Sequence, residues 1–196
     1  MKTSVVCEGE RYSAPLPFKA EDAPELPCNE PYAKLRFSKL RNKMLRDDKY
    51  QSDYVKFMQN IIDNGYAEPV PEEQSSSTKA EGWYLCHHGV YHPRKPGKIR
   101  VVFDASAQYG GTSLNAHLLT GPDLTNSLVG VLCRFRSDHC AVMCDIEQMF
   151  FQFLVSTEHR NFLKFLWFEN SDVSQGKVVI QDEEPHFWSQ LQPFSQ

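Results

Sequence analysis

A mixed α+β fold is predicted by three observations. A helix-period apolar pattern runs over residues 31–66, period-two and short apolar runs follow residue 82, and helix-like stretches are interleaved with those runs. The chain of 196 residues is long enough for a real core, since chains of this size bury roughly two-thirds of their unfolded surface. Hydrophobic residues at 41% and charged residues at 23% place it among globular proteins and exclude global disorder and fibrous classes. The net charge of -4 gives no overall attraction to nucleic acid, so any such binding must come from local basic stretches.

Residues 1–30 hold Pro15, Pro17, Pro24 and Pro27 with little periodicity, and read as an extended arm over a larger body. Residues 31–66 read as helical, with Leu40, Met44, Tyr50, Tyr54, Met58, Ile61 and Ile62 mostly at three- and four-residue steps. A break is expected near Asp47 and Asp48, and Gly65 stands where a helix stops. Residues 71–82, PEEQSSSTKAEG, read as a polar loop. Strands are expected over Trp83–Tyr91, Ile99–Phe103, Ala141–Cys144 and Phe162–Phe168, and helices over 122–136 and 145–153. The division is an arm and helical region over 1–80, a principal unit over 81–170, and a divergent polar tail over 171–196.

The start of the chain has no apolar run of signal-peptide length, and nowhere do 18 apolar residues occur together. An intracellular chain, cytoplasmic or nuclear and without membrane attachment, is the expectation. The six cysteines are then expected to be free thiols, because reducing compartments do not sustain a disulfide framework.

Three groups of residues carry candidate chemistry. Lys34, Arg36, Lys39, Arg41, Lys43, Arg46 and Lys49 form a basic density that either follows a phosphate backbone or lies on a solvated helix face. The segment KPGKIRVVFD, residues 95–104, joins a Pro-Gly turn flanked by cations to an apolar strand. Its Lys98 and Arg100 suit a triphosphate, through a mobile point charge and a planar fork of donors, but a solvated hairpin explains them too. In AVMCDIEQMFFQF, residues 141–153, Asp145 follows a buried-looking strand. It is either the cap of the next helix or a hard oxygen ligand for a divalent metal.

The run GWYLCHHGVYHPRKPGKIRVVFDASAQYGGTSLNAHLLTGPDLTNSLVGVLCRFR, continued by AVMCDIEQMFFQF and STEHRNFLKFLWFEN, closely resembles the reverse transcriptase of Bel/Pao-type LTR retrotransposons. The resemblance covers residues 82–170 and, more loosely, LPFKAEDAPELP and NGYAEPVP. It implies the fingers and partial palm of a right-hand polymerase, with RNA-directed DNA polymerisation as the parent activity. Template–primer of RNA or DNA and deoxynucleotides are the implied partners, and Mg2+ the implied cofactor. By the same resemblance Arg100 meets the phosphates of the incoming nucleotide with Lys98 beside it. Asp145 is the first catalytic, metal-binding aspartate, and the Ile146 carbonyl faces the same metal. Phe150 is the steric gate against a ribose 2′-hydroxyl, with Gln152 next to it; core packing is the plain alternative for Phe150 and Phe151.

The sequence also departs from the family. The two further aspartates that complete the metal site have no clear counterpart. Asp182 and Glu183, after Val178, Val179 and Ile180, lie too close to Asp145 and are read as coincidental. An incomplete, inactive polymerase fragment is therefore expected, the alternative being a nucleic-acid-binding or interaction module that keeps only the fingers. Zinc binding by Cys86, His87, His88 and His92, or by Cys133, Cys140 and Cys144, lacks standard finger spacing. A hydrolase triad of Asp104, Ser106 and His117 lacks a nucleophile elbow.

Overall fold

The computed structural model describes residues 5–8, 11–70, 82–93, 95–120, 126–137, 139–140, 142, 144, 153–175 and 177–182. Within these the fold is α+β. Strands β1 (Val6–Glu8) and β2 (Arg11–Ala14) lead to helices α1 (Glu30–Met44) and α2 (Asp48–Asp63). Strand β3 (Ala67–Pro69), the long hairpin β4 (Cys86–His92) and β5 (Lys95–Asp104), and helices α3 (Leu114–His117) and α4 (Leu128–Phe135) follow. Strand β6 (Phe153–Val155), a 3-10 turn over Thr157–Leu163, β7 (Lys164–Phe168), a second 3-10 turn over Glu169–Ser171 and β8 (Lys177–Asp182) complete it.

The expected helical break is present and has a local cause. Asp47 leaves the helical conformation at φ -138° and ψ 95°, and its Oδ1 accepts the Tyr50 amide at 2.9 Å as the N-cap of α2. Each helix then buries one stripe: Ala33, Phe37, Leu40 and Met44 on α1, and Tyr50, Tyr54, Met58 and Ile61 on α2. Helix α2 stops at Asn64, and Gly65 follows at φ 68°.

The strands form three small sheets, ordered β1-β2-β6, β3-β8-β7 and β4-β5. The β2–β6 pair is parallel and the other pairs are antiparallel. Helix α1 packs on β4 and β7, and α2 on β5 and β3. One hydrophobic cluster joins these elements, with Trp83, Trp167, Tyr54, Met44, Met58 and Phe165 among its fully buried members. The proline-rich arm is tied into it by Leu16 and Phe18, and by Asn29, whose amide pairs with both backbone groups of Tyr84 at 2.8 Å.

Several boundaries differ from the sequence reading. Residues 83–85 precede the hairpin and bond to the 3-10 turn and β7, through Trp83 N to Asn161 O at 3.0 Å and Leu85 N to Lys164 O. Strand β5 runs from 95 to 104, longer than expected, because β4 pairs with it at both ends. Phe162 belongs to the 3-10 turn and β7 starts at Lys164. Phe153, expected at a helix end, is in β6, where β2 supplies a parallel partner and Val155 a buried anchor. The helix within 122–136 is Leu128–Phe135 and buries no residue; residues 121–125 lie outside the described part. So do 71–81 of the expected loop, and Ala141, Met143 and 145–152 of the expected strand and helix. Part of the expected polar tail is ordered core: β8 is the central strand between β3 and β7, with Ile180 buried.

Candidate nucleic-acid interface

The β4–β5 hairpin positions the two cations that the sequence singles out. Alternation along β5 sends Ile99, Val101 and Phe103 into the core and leaves Lys98 and Arg100 exposed on the outer face. Across the pair Arg100 lies opposite Val90, and Val102 opposite His88. Two residues of extended chain separate Lys98 from Arg100 by about 7 Å at the backbone, close to the spacing of successive phosphates on an extended strand.

The hairpin is seated on α2 by contacts that periodicity alone does not reveal. The Gly89 amide donates to the Tyr50 hydroxyl at 2.9 Å. A Cβ on Gly89 would stand 2.6 Å from Ile99 Cδ1 and 2.9 Å from that hydroxyl, so only glycine allows α2 so close. Nearer the hairpin tip, the Tyr91 hydroxyl donates to Asp53 Oδ2 at 2.7 Å, and Lys49 Nζ pairs with the same oxygen at 3.2 Å while lying over the Tyr91 ring. The Tyr91 hydrogen bond and Lys49 hold the Asp53 carboxyl below its usual range. Loss of hydration and the Asp53 bond push the Tyr91 phenol up to about 12.

Beneath the hairpin, His87 is buried among Phe37, Phe103, Phe165 and Trp167. Its Nε2 lies 2.8 Å from the Leu166 carbonyl, which can only accept, so Nε2 carries the proton. Nδ1 is then left to accept from the Tyr54 hydroxyl. Burial lowers the His87 pKa to about 4, against the Leu166 bond, which favours the charged form. Burial also pushes the Cys86 thiol up to about 11.

The cations of α1 and the start of α2 divide into two sets. Lys34 pairs with Glu30, Arg41 Nε donates to the Val173 carbonyl at 2.9 Å, and Lys49 is engaged by Asp53. These cations serve the fold. Arg36 and Lys39 are exposed on the flank of α1 beside its buried stripe, two turns and one turn from Lys43, whose ammonium lies 3.9 Å over the Tyr50 ring.

The remaining candidates separate. Cys86 and His87 are buried neighbours on opposite faces of β4, and Cys133, Cys140 and Cys144 are exposed; none of the six cysteines forms a disulfide. Among the described residues no three His, Cys, Asp or Glu side chains are grouped to hold a metal ion. Ser106 Oγ accepts from Asn115 Nδ2 at 2.9 Å, while His117 Nε2 meets Thr112 Oγ1 at 2.8 Å, so Ser106 and His117 serve different local bonds. Asp182 ends β8 opposite Ala67. Asp145, Ile146, Phe150 and Gln152 lie outside the described residues. No helix among the described residues is long and apolar enough to cross a membrane.

No protein-family model matches the chain, and no curated protein matches it.

Proposed function

We propose that this chain is the amino-terminal region of a Bel/Pao-type reverse transcriptase, comprising the fingers and the start of the palm. The observation that carries the reading is the continuous motif run over residues 82–170, with its two expected phosphate-binding cations exposed on one face of an anchored hairpin. In this reading Lys98 and Arg100 hold the triphosphate of a deoxynucleotide by charge-assisted bonds. Phe150, beside Gln152, excludes a ribose 2′-hydroxyl, and the RNA or DNA template–primer lies along the fingers. Asp145 and the Ile146 carbonyl are the residues that would hold Mg2+. Bound there, the ion would supply neutralisation of phosphate charge during in-line attack by the primer 3′-hydroxyl.

The contribution of the protein residues is positioning. Gly89 and Tyr91 fix the hairpin to Tyr50 and Asp53, so the cations on β5 meet a ligand from a preformed strand and lose little conformational entropy on binding. The test is equilibrium binding of a deoxynucleoside triphosphate to the wild type and Arg100→Ala. A loss of about 1–3 kcal/mol is expected for removal of a charge-assisted contact. Equal affinities would remove Arg100 from the site.

A second reading, a nucleic-acid-binding module that keeps only the fingers, is favoured by the packed core that the helices, the hairpin and β7–β8 form among the described residues. Template–primer binding without nucleotide binding would select it.

A further inference from the structure

Helix α1 carries five cations, Lys34, Arg36, Lys39, Arg41 and Lys43, against one acid, Glu30, in a chain whose net charge is -4. Like charges three and four residues apart on a helix are mutually destabilising, and here Arg36, Lys39 and Lys43 repeat at that spacing on a single flank. Two of the three are held in place. Arg36 lines a small cavity with Phe37, Leu40, Leu85 and Cys86, and the head of Lys43 rests on the Tyr50 ring.

Helix α1 packs on β4, and Arg36 and Lys43 stand near enough to His88, on the outer face of the hairpin, for their charges to act on its imidazole. Burial, then the charges of Arg36 and Lys43, hold the His88 imidazole below its ordinary pKa, while Asp104 acts in the opposite sense. From His88 the outer face continues through Val90, 45% exposed, to Arg100 and Lys98. The strip spans about 13 Å on the hairpin and about 10 Å along α1, from four residues of strand and seven of helix. A solvent-facing imidazole and a valine lie between the two sets of cations, where an unpaired base has something flat and apolar to rest on. Among the described residues Asp104 is the acid that acts on His88, and it is half-buried beside it.

We propose that Arg36, Lys39 and Lys43 form a second phosphate-binding surface, distinct from Lys98 and Arg100, that takes the sugar–phosphate backbone of single-stranded nucleic acid and leads it across His88 onto the hairpin. The inference deepens the reading of the hairpin as a nucleotide-phosphate grip, yet it rests on its own residues.

The experiment uses the full chain and a fluorescein-labelled oligo(dT) strand, titrated between about 50 and 200 mM salt. The triple variant Arg36→Gln, Lys39→Gln, Lys43→Gln is compared with Lys34→Gln, Arg41→Gln, Lys49→Gln, which removes equal charge from cations already engaged within the fold. Each lost phosphate contact lowers the slope of log affinity against log salt by about 0.7 for a single strand, so the first triple should lower it by about two units. The second should leave the slope near that of the wild type. Equal loss in both triples would reduce the effect to net charge and overturn the proposal, as would no loss in the first. Single variants Arg36→Gln and Lys39→Gln, both at exposed positions, make the same distinction if a triple fails to fold. A duplex bound in preference to oligo(dT) would overturn the single-strand assignment. If Arg100→Ala leaves triphosphate binding intact while the first triple loses its slope, the nucleotide reading falls and this surface stands; the reverse pattern removes the surface alone.

Discussion

Acidification should weaken this fold through His87. In the folded protein its imidazole has a pKa of about 4 against an ordinary value of 6.5. Between those two values the unfolded chain binds a proton that the folded chain refuses. The contribution of His87 to stability is therefore complete above pH 6.5 and is lost as the pH falls towards 4. Going from pH 7.5 to 4.5 should remove about 2–3 kcal/mol through this one residue, by the linkage relation with about 1.4 kcal/mol per pH unit. The structural cause is that both ring nitrogens are already used: Nε2–H donates to Leu166, and Nδ1 would have to give up the Tyr54 hydroxyl bond to take a proton. Urea unfolding followed by tryptophan fluorescence measures the effect at each pH. His88 and His159 are also lowered by burial and push in the same direction, so the decisive quantity is the difference between wild type and His87→Gln. The variant should begin less stable but fall less steeply with acid. Parallel curves over this range would refute the assignment of His87 as a neutral, doubly bonded core group.

Two more outcomes follow from the same packing, and a third from the carboxylates of the sequence. Gly89→Ala should destabilise by about 1–3 kcal/mol, the usual cost of overpacking, since its new carbon would overlap the Ile99 side chain and the Tyr50 hydroxyl; an unchanged urea midpoint would contradict the close approach of α2. Asn29→Ala strips both backbone groups of Tyr84 of their side-chain partners and should lower stability by about 2–4 kcal/mol, at about 1–3 kcal/mol for each unsatisfied buried group; a smaller loss in thermal unfolding would mean that water replaces the amide. The 196-residue polypeptide should extend no primer on an RNA or DNA template with Mg2+ or Mn2+, because Asp145 alone cannot hold two cations about 4 Å apart; extension that disappears in Asp145→Asn would show that Asp182, Glu183 or another chain completes the site.

The helices were legible because each buries a stripe that the sequence writes at three- and four-residue steps, and because Asp47 caps where the pattern breaks. The β4–β5 hairpin was legible from its alternation, and with it the outward placement of Lys98 and Arg100, but the connection lies between His92 and Lys95, and Pro96 and Gly97, expected as the turn, belong to β5. The stretch at 177–182 was harder to place, since six residues between polar neighbours show no period of their own; their pairing into a sheet, and the burial of Ile180, come from β3 and β7, more than a hundred and about a dozen residues away. Asn29, Tyr50, Tyr54 and His87 share another difficulty. Their polar atoms are satisfied by backbone groups or side chains remote in sequence, and pattern reading registers only that such positions are apolar or ambiguous. A tyrosine pair at i, i+4 facing a glycine-containing strand is the one local hint that existed.

Stability and ligand affinity are physically separable in this arrangement. The groups that hold the hairpin, Tyr50, Asp53, Gly89 and Tyr91, lie on its α2 side, and His87 fixes the core face of β4 to β7 through Leu166. Lys98 and Arg100 lie on the other face of the hairpin, and Arg36 and Lys39 are exposed on α1. Neutralising an exposed cation removes an interaction worth at most about 1 kcal/mol to the fold, whereas each phosphate contact acts on affinity through counterion release, which salt makes visible. Substitutions on the outer face should thus move binding slopes at nearly constant unfolding midpoint, and substitutions at Tyr50 or Gly89 should move the midpoint first. A variant of Lys39 or Lys98 that lowered the midpoint by as much as Gly89→Ala would place those cations in the architecture of the hairpin and take them out of the proposed interface.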